Sequence, residues 1–172
     1  MIRALIITGR GVTDREYATL VDVLPAFDYR VDVAVRGNQM VLGEIGIKVM
    51  PTMDIPVYTA RAYDLLLLPG GAKAMEYLRQ DKGVLEYISR HHLNGGIVAS
   101  ICHGAQLLIS AKLVRGRKIS GYYSIQDDIE NAGGIYVDEP AVICERIVTS
   151  PHYKYTGQWM RAFLNQVDLW LN

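Results

Sequence analysis

The sequence predicts a doubly wound α/β domain, in which helices cover both faces of a mostly parallel sheet. Three observations lead there. Short apolar runs of β character alternate with stretches of helical periodicity along the chain, the pattern of parallel strands joined by helices. The run Leu65–Leu68 is continuously apolar, as a strand buried on both faces must be. Finally, "VASICHGAQLLIS", residues 98–110, passes from strand to helix with no linker.

In chain order, "ALIITG" reads as a buried first strand. "TDREYATLVDVLPAF" follows as a helix over residues 13–27, with Thr13 as N-cap and Glu16 three residues on, the spacing of a capping box. "YRVDVAV" is a second strand, and "MVLGEIGIKVMP" alternates around Gly43 and Gly46 as a small hairpin. "YDLLLLPGG" is the central strand, "KGVLEYISRHHL" a helix, and "GIVASI" the strand that reaches Cys102. The helix "HGAQLLISAKL" leads to "KIS", a helix near "SIQDDIENA", and strands "GIYV", "AVIC" and "RIVTS". "YTGQWMRAFLNQVDLW" closes the chain with apolar residues at helical spacing. No repeat, linker or low-complexity tract interrupts this order, so residues 1–172 are expected to form one domain.

Composition narrows the function classes. Eighteen basic residues balance eighteen acidic ones, so nothing suggests a nucleic-acid partner. The start of the chain lacks the basic and cleavable apolar regions of a leader, and the run Leu65–Leu68 is too short to span a bilayer. The two cysteines, Cys102 and Cys144, lie in unlike contexts, which suits a reducing cytoplasm better than a disulfide framework. His91, His92 and His152 show no ligand spacing, and no metal site or other cofactor is expected. Gly9-Arg10-Gly11 hints at a dinucleotide fingerprint, but its third glycine position is Asp14. A carboxylate there would repel a pyrophosphate, so NAD is rejected.

Ligands of open α/β sheets bind beyond the carboxyl ends of the strands. Gly11–Glu16, Pro69–Gly71 and Cys102–Gly104 all fall there. A nucleophile elbow needs small residues two before and two after the nucleophile, and Ser100-Ile101-Cys102-His103-Gly104 supplies both. The helix behind Cys102 is expected to favour its thiolate. Backbone N–H groups at the turn, with those of Gly70 and Gly71, form a candidate oxyanion site. His103 is a candidate proton carrier if its ring folds back toward the sulfur. Glu16 has two readings, as a helix cap or as a carboxyl partner of the thiol, and the residues alone favour the cap.

The stretches "LLLLPGGAKAMEYLRQDKGV", "VASICHGAQLLISAKLVRGRKISGYYSIQDDIENAGG" and "VTSPHYKYTGQWMRAFL" resemble the ThiJ/PfpI superfamily, and the resemblance spans essentially the whole chain. It implies a flavodoxin-like three-layer sandwich centred on Cys102. It also turns Glu16 from a cap into the carboxyl partner of the thiol, matches Gly70 and Gly71 to oxyanion-side glycines, and puts Tyr122 near the cysteine. In peptidase-like relatives a glutamate from a neighbouring subunit completes the cysteine–histidine pair shortly after the Pro-Gly-Gly. Here Met75 occupies that position and Glu76 lies one residue further. "SPHYKY" also departs from the family pattern and brings His152 and Tyr153 toward the pocket.

The function expected from the resemblance is cysteine-dependent chemistry on small reactive carbonyls or their adducts. The alternatives are a peptidase or amidase, and a non-catalytic sensor that works through Cys102 oxidation. A glutamine amidotransferase is disfavoured, because no downstream H-x-E completes its triad. The resemblance further implies a homo-oligomer, a dimer or hexamer, with a small-molecule or peptide substrate and no membrane partner.

Overall fold

The computed structural model describes residues 1–55 and 63–171. Ten strands and six α-helices are present among them. The chain runs β1 (Ile2–Ile7), α1 (Asp14–Val23), β2 (Tyr29–Ala34), the hairpin β3 (Val41–Leu42) and β4 (Lys48–Val49), then β5 (Leu65–Leu68). It continues through α2 (Ala72–Leu78), α3 (Lys82–Leu93), β6 (Ile97–Ile101) and α4 (Ala105–Ser110). The last part holds β7 (Lys118–Ile119), α5 (Gln126–Asn131), β8 (Ile135–Tyr136), β9 (Val142–Cys144), β10 (Ile147–Ser150) and α6 (Thr156–Leu171).

The main sheet has the order β2-β1-β5-β6-β10-β9, with only β9 antiparallel to its neighbour. Its five parallel strands, taken in chain order, lie as 2-1-3-4-5, the flavodoxin-like arrangement. Strand order reverses at β1, so a crevice opens beside its carboxyl end, toward β5.

The period of two along each strand divides the core between two layers. Leu66 and Leu68 pack with Leu5, Ile7 and Val98 against α2, α3 and α4. Leu65 and Leu67 pack with Ala4, Ile6 and Ala99 against α1 and α6. All four leucines of β5 are fully buried, and each contributes about 2 kcal/mol relative to exposure. This is why that run contains no polar residue. Trp159 and Phe163 of α6, in edge-to-face contact at 5.0 Å, close the second layer.

Three elements differ from the sequence expectation. The first helix stops at Val23, and Leu24–Phe27 tightens into a 3-10 turn. Pro25 lacks the N–H that would continue the α ladder. α2, which follows Gly71 directly, has no counterpart in the sequence expectation. β7 and β8 pair with each other in a separate small sheet rather than joining the main one. Among the described residues no helix is long and apolar enough to cross a membrane.

Candidate active site

β6 ends in extended backbone at Ile101, and the next residue, Cys102, adopts φ +57°. A side chain in this left-handed region costs about 1–2 kcal/mol, so the surroundings must impose it. Gly104 is part of the means. A Cβ there would lie 2.1 Å from the Leu68 carbonyl oxygen and 3.4 Å from Ser100 Cβ. The turn therefore packs against the end of β5 with no room for a side chain. The Cys102 carbonyl is fixed by the Tyr122 N–H at 3.1 Å. Gly104→Ala should destabilise the fold by about 3 kcal/mol, read as a lowered urea midpoint at unchanged slope.

Glu16 shares its helix face with Leu20 and, one turn on, Leu24; all three are fully buried. Thr13 has N-cap backbone geometry but makes no side-chain cap. Its hydroxyl donates instead to Glu44 Oε2 at 3.4 Å. The capping box therefore does not form, and the reading of Glu16 as a cap is overturned. Glu16 Oε2 accepts a hydrogen bond from the Gly70 N–H. A Cβ on Gly70 would come within 2.8 Å of both that oxygen and Cys102 Cβ, so only glycine lets carboxyl and thiol meet. Gly71, at φ +99° beyond the end of β5, lies closer still to its neighbour: the Gly11 carbonyl oxygen is 2.2 Å from where a Cβ would stand.

Burial governs the electrostatics of this pair. It pushes the Glu16 carboxyl up to about 8, against the lowering effect of the Gly70 hydrogen bond. Cys102 is only 6% exposed. Its thiol is pushed well above the ordinary cysteine range, first by desolvation and then by the charge of Glu16, while the His103 N–H opposes the rise. The expectation that the helix end would favour thiolate is thus not met in the resting site: desolvation outweighs it. Glu44, on the loop between β3 and β4, adds its charge to both groups.

The His103 ring does fold back: Nδ1 lies 3.5 Å from Cys102 Sγ. Its other nitrogen, Nε2, lies 3.4 Å from Ser124 Oγ. Burial lowers the His103 pKa, and the charge of Glu76 partly restores it. Met75 is fully buried among the α2 core contacts, whereas Glu76 is exposed. Met75 is therefore a packing residue.

Tyr122 packs against His103 in a tilted pair, with centroids 4.7 Å apart, and His152 stacks behind it at 6.0 Å. His152 Nδ1 accepts from the Lys154 N–H at 3.1 Å, capping the turn that leads into α6. Beyond Tyr122 lies a cavity of about 180 Å³, lined by Tyr136, Asp138, His152 and Tyr155 among others. The structure thus gathers Cys102, His103, Glu16 and Gly70 in direct contact, with Gly71 adjoining, Tyr122 as a wall and His152 in an outer layer. Ser124 and Glu44 were missed from sequence. A hydroxyl in a loop and an acid on a hairpin carry no signal until the fold brings them near.

Comparison with known proteins adds a separate finding. Residues 2–166 match the DJ-1/PfpI family. The chain is 31% identical to a deglycase of Thermococcus kodakarensis over 163 residues, covering 95% of this chain and 98% of that one. It is 34% identical to Deglycase PfpI of Pyrococcus furiosus over 136 residues, 79% and 81% of the two chains. Among solved structures it superposes with a TM-score of 0.93, at 26% identity, on a two-domain protein of Anabaena variabilis containing DJ-1/ThiJ/PfpI-like and ferritin-like domains. The match covers 98% of this chain and 48% of that one, so this chain spans about half of the two-domain protein.

Proposed function

The chain belongs to the DJ-1/PfpI family, and on that premise we propose that it is a thiol-dependent enzyme acting on small reactive carbonyls and their adducts with amines and thiols. One observation carries this reading: Cys102, held in left-handed backbone at the end of β6, faces the buried carboxyl of Glu16 that Gly70 holds in place. Two relatives named deglycases support the substrate class.

The chemistry follows from the groups present. As Cys102 Sγ forms its bond to an aldehyde carbon, the thiol proton passes to Glu16 or to His103 Nδ1. The carbonyl π bond breaks and its oxygen takes a proton, giving a hemithioacetal. With methylglyoxal, moving the hydrogen from the former aldehyde carbon to the neighbouring carbonyl carbon, and the hydroxyl proton to that carbon's oxygen, gives a lactoyl thioester. Water cleaves that thioester, releasing lactate and returning the thiol. The net reaction is methylglyoxal plus water to lactate, which requires no oxidant. With a hemiaminal adduct, the C–N bond breaks as the S–C bond forms, and the amine leaves with the proton that the thiol gave up.

The test is a panel of dicarbonyls, glycated amines and thiols, and peptides, run on the wild type and on Cys102→Ser. Turnover of the carbonyl substrates by the wild type alone is the expected result. Equal rates in both proteins would overturn the proposal.

A second reading, a peptidase or amidase, is favoured by Glu76, whose charge raises the basicity of His103. It expects peptide hydrolysis that falls in Glu76→Gln. If the wild type shows no hydrolysis, this reading is removed.

A further inference from the structure

We infer that Ser124 is the positioning residue of His103, filling within this chain the place that an acid takes in a cysteine–histidine–acid arrangement. The inference rests on the reading of Cys102 as the nucleophile and adds a residue to that site.

Among the described residues, His103 Nε2 has one hydrogen-bonding neighbour, Ser124 Oγ at 3.4 Å. The other groups around the ring act differently. Cys102 Sγ meets Nδ1 at 3.5 Å, Tyr122 packs against the ring, and Glu76 of α2 acts through its charge. Ser124 is exposed, but its backbone is held on both sides. Before it, the Tyr122 N–H donates to the Cys102 carbonyl at 3.1 Å. After it, the Ile125 N–H donates to the Tyr122 carbonyl at 3.0 Å, and Ile125 is buried in the core. The hydroxyl is therefore carried on a short 3-10 turn, Tyr123–Ile125, tied to the elbow itself.

The chemical consequence lies in the tautomer. A hydroxyl that accepts from Nε2–H leaves Nδ1 with its lone pair toward the sulfur. Nδ1 can then take the thiol proton as the S–C bond forms, and Ser124 continues to accept from the imidazolium. Unlike a carboxylate, the hydroxyl brings no negative charge, so it orients the ring without holding it protonated at rest. Such a base suits reversible addition to an activated carbonyl. It suits peptide cleavage less well, because there a charged imidazolium must protonate the departing amine.

Alkylation of the full-length protein by iodoacetamide tests this without any substrate, with Cys144 in the same molecule as internal reference. Modification at each cysteine is followed by mass spectrometry across about pH 6 to 9, the range in which an unperturbed histidine and cysteine titrate. Ser124→Ala should slow Cys102 modification at neutral pH by about three- to tenfold, the weight of one hydrogen bond. Ser124→Thr should retain the wild-type rate, and Ser124→Asp should move the profile to lower pH by favouring the imidazolium. Combined with His103→Ala, Ser124→Ala should have no further effect. An unchanged rate in Ser124→Ala, or the same slowing without His103, would overturn the assignment. Since the readout is the thiol itself, loss of the carbonyl-enzyme reading would leave this result interpretable.

Discussion

Cys102→Ser should abolish carbonyl turnover, by at least about a thousandfold, while the protein remains folded. The size follows from the nucleophile. A serine hydroxyl ionises far above a thiol and is a poor nucleophile without a strong adjacent base, and removing a nucleophile commonly costs more than this. Here the available base is weak, because burial lowers the His103 pKa and keeps Glu16 protonated at neutral pH. The fold should tolerate the change. Serine is slightly smaller than cysteine, and the φ of +57° at this position costs both residues alike. Steady-state assays and thermal unfolding of the two proteins check this together. Turnover in Cys102→Ser within tenfold of wild type would show that the sulfur is not the reacting atom.

Glu16→Gln should lose activity and gain stability, each with a definite pH dependence. The Glu16 carboxyl is raised in the folded protein from an ordinary value of 4.5 to about 8, chiefly by burial. Its folded form thus holds a proton that the unfolded chain releases, and stability falls as pH rises from 4.5 toward 8. Below that window wild type and Glu16→Gln should be nearly equal. At pH 8 the variant, with no charge to desolvate, should unfold about 5–10 °C higher, from a difference on the order of 3 kcal/mol. Activity should move in the opposite direction. If the carboxylate takes the thiol proton, the wild-type rate rises through about 8. The amide cannot take that proton, so the rate near pH 8 should fall by about a hundredfold. Equal thermal midpoints at high pH would show that Glu16 is not held neutral by its surroundings.

These two residues also show how legibility divides. Cys102 was readable because an elbow is local: strand, nucleophile, small neighbours and helix all lie within thirteen residues, 98–110. Glu16 was readable only in part. Its spacing from Thr13 fits a cap, and the residues alone favour that role. The contrary signal was the stripe Glu16-Leu20-Leu24, an acid placed on the buried face of a helix. Met75 and Glu76 show the same limit. Counting positions after the Pro-Gly-Gly cannot tell which of two adjacent residues faces the core, and the register of α2 decides it: Met75 is buried and Glu76 exposed.

The sequence by itself determined the alternation of strands and helices that makes the α/β class, the central buried strand at Leu65–Leu68 and the elbow cysteine. These features follow from periodicity, backbone preference and the steric need for small residues, all of which act between near neighbours in the chain. Only the tertiary structure decided the chemistry around that cysteine. Glu16, Gly70 and Ser124 reach Cys102 and its histidine from three other segments, and burial raises both the carboxyl and the thiol. Desolvation depends on every atom that crowds a site, so no local pattern in the chain could have shown that burial, rather than the helix end, sets the resting state of the thiol.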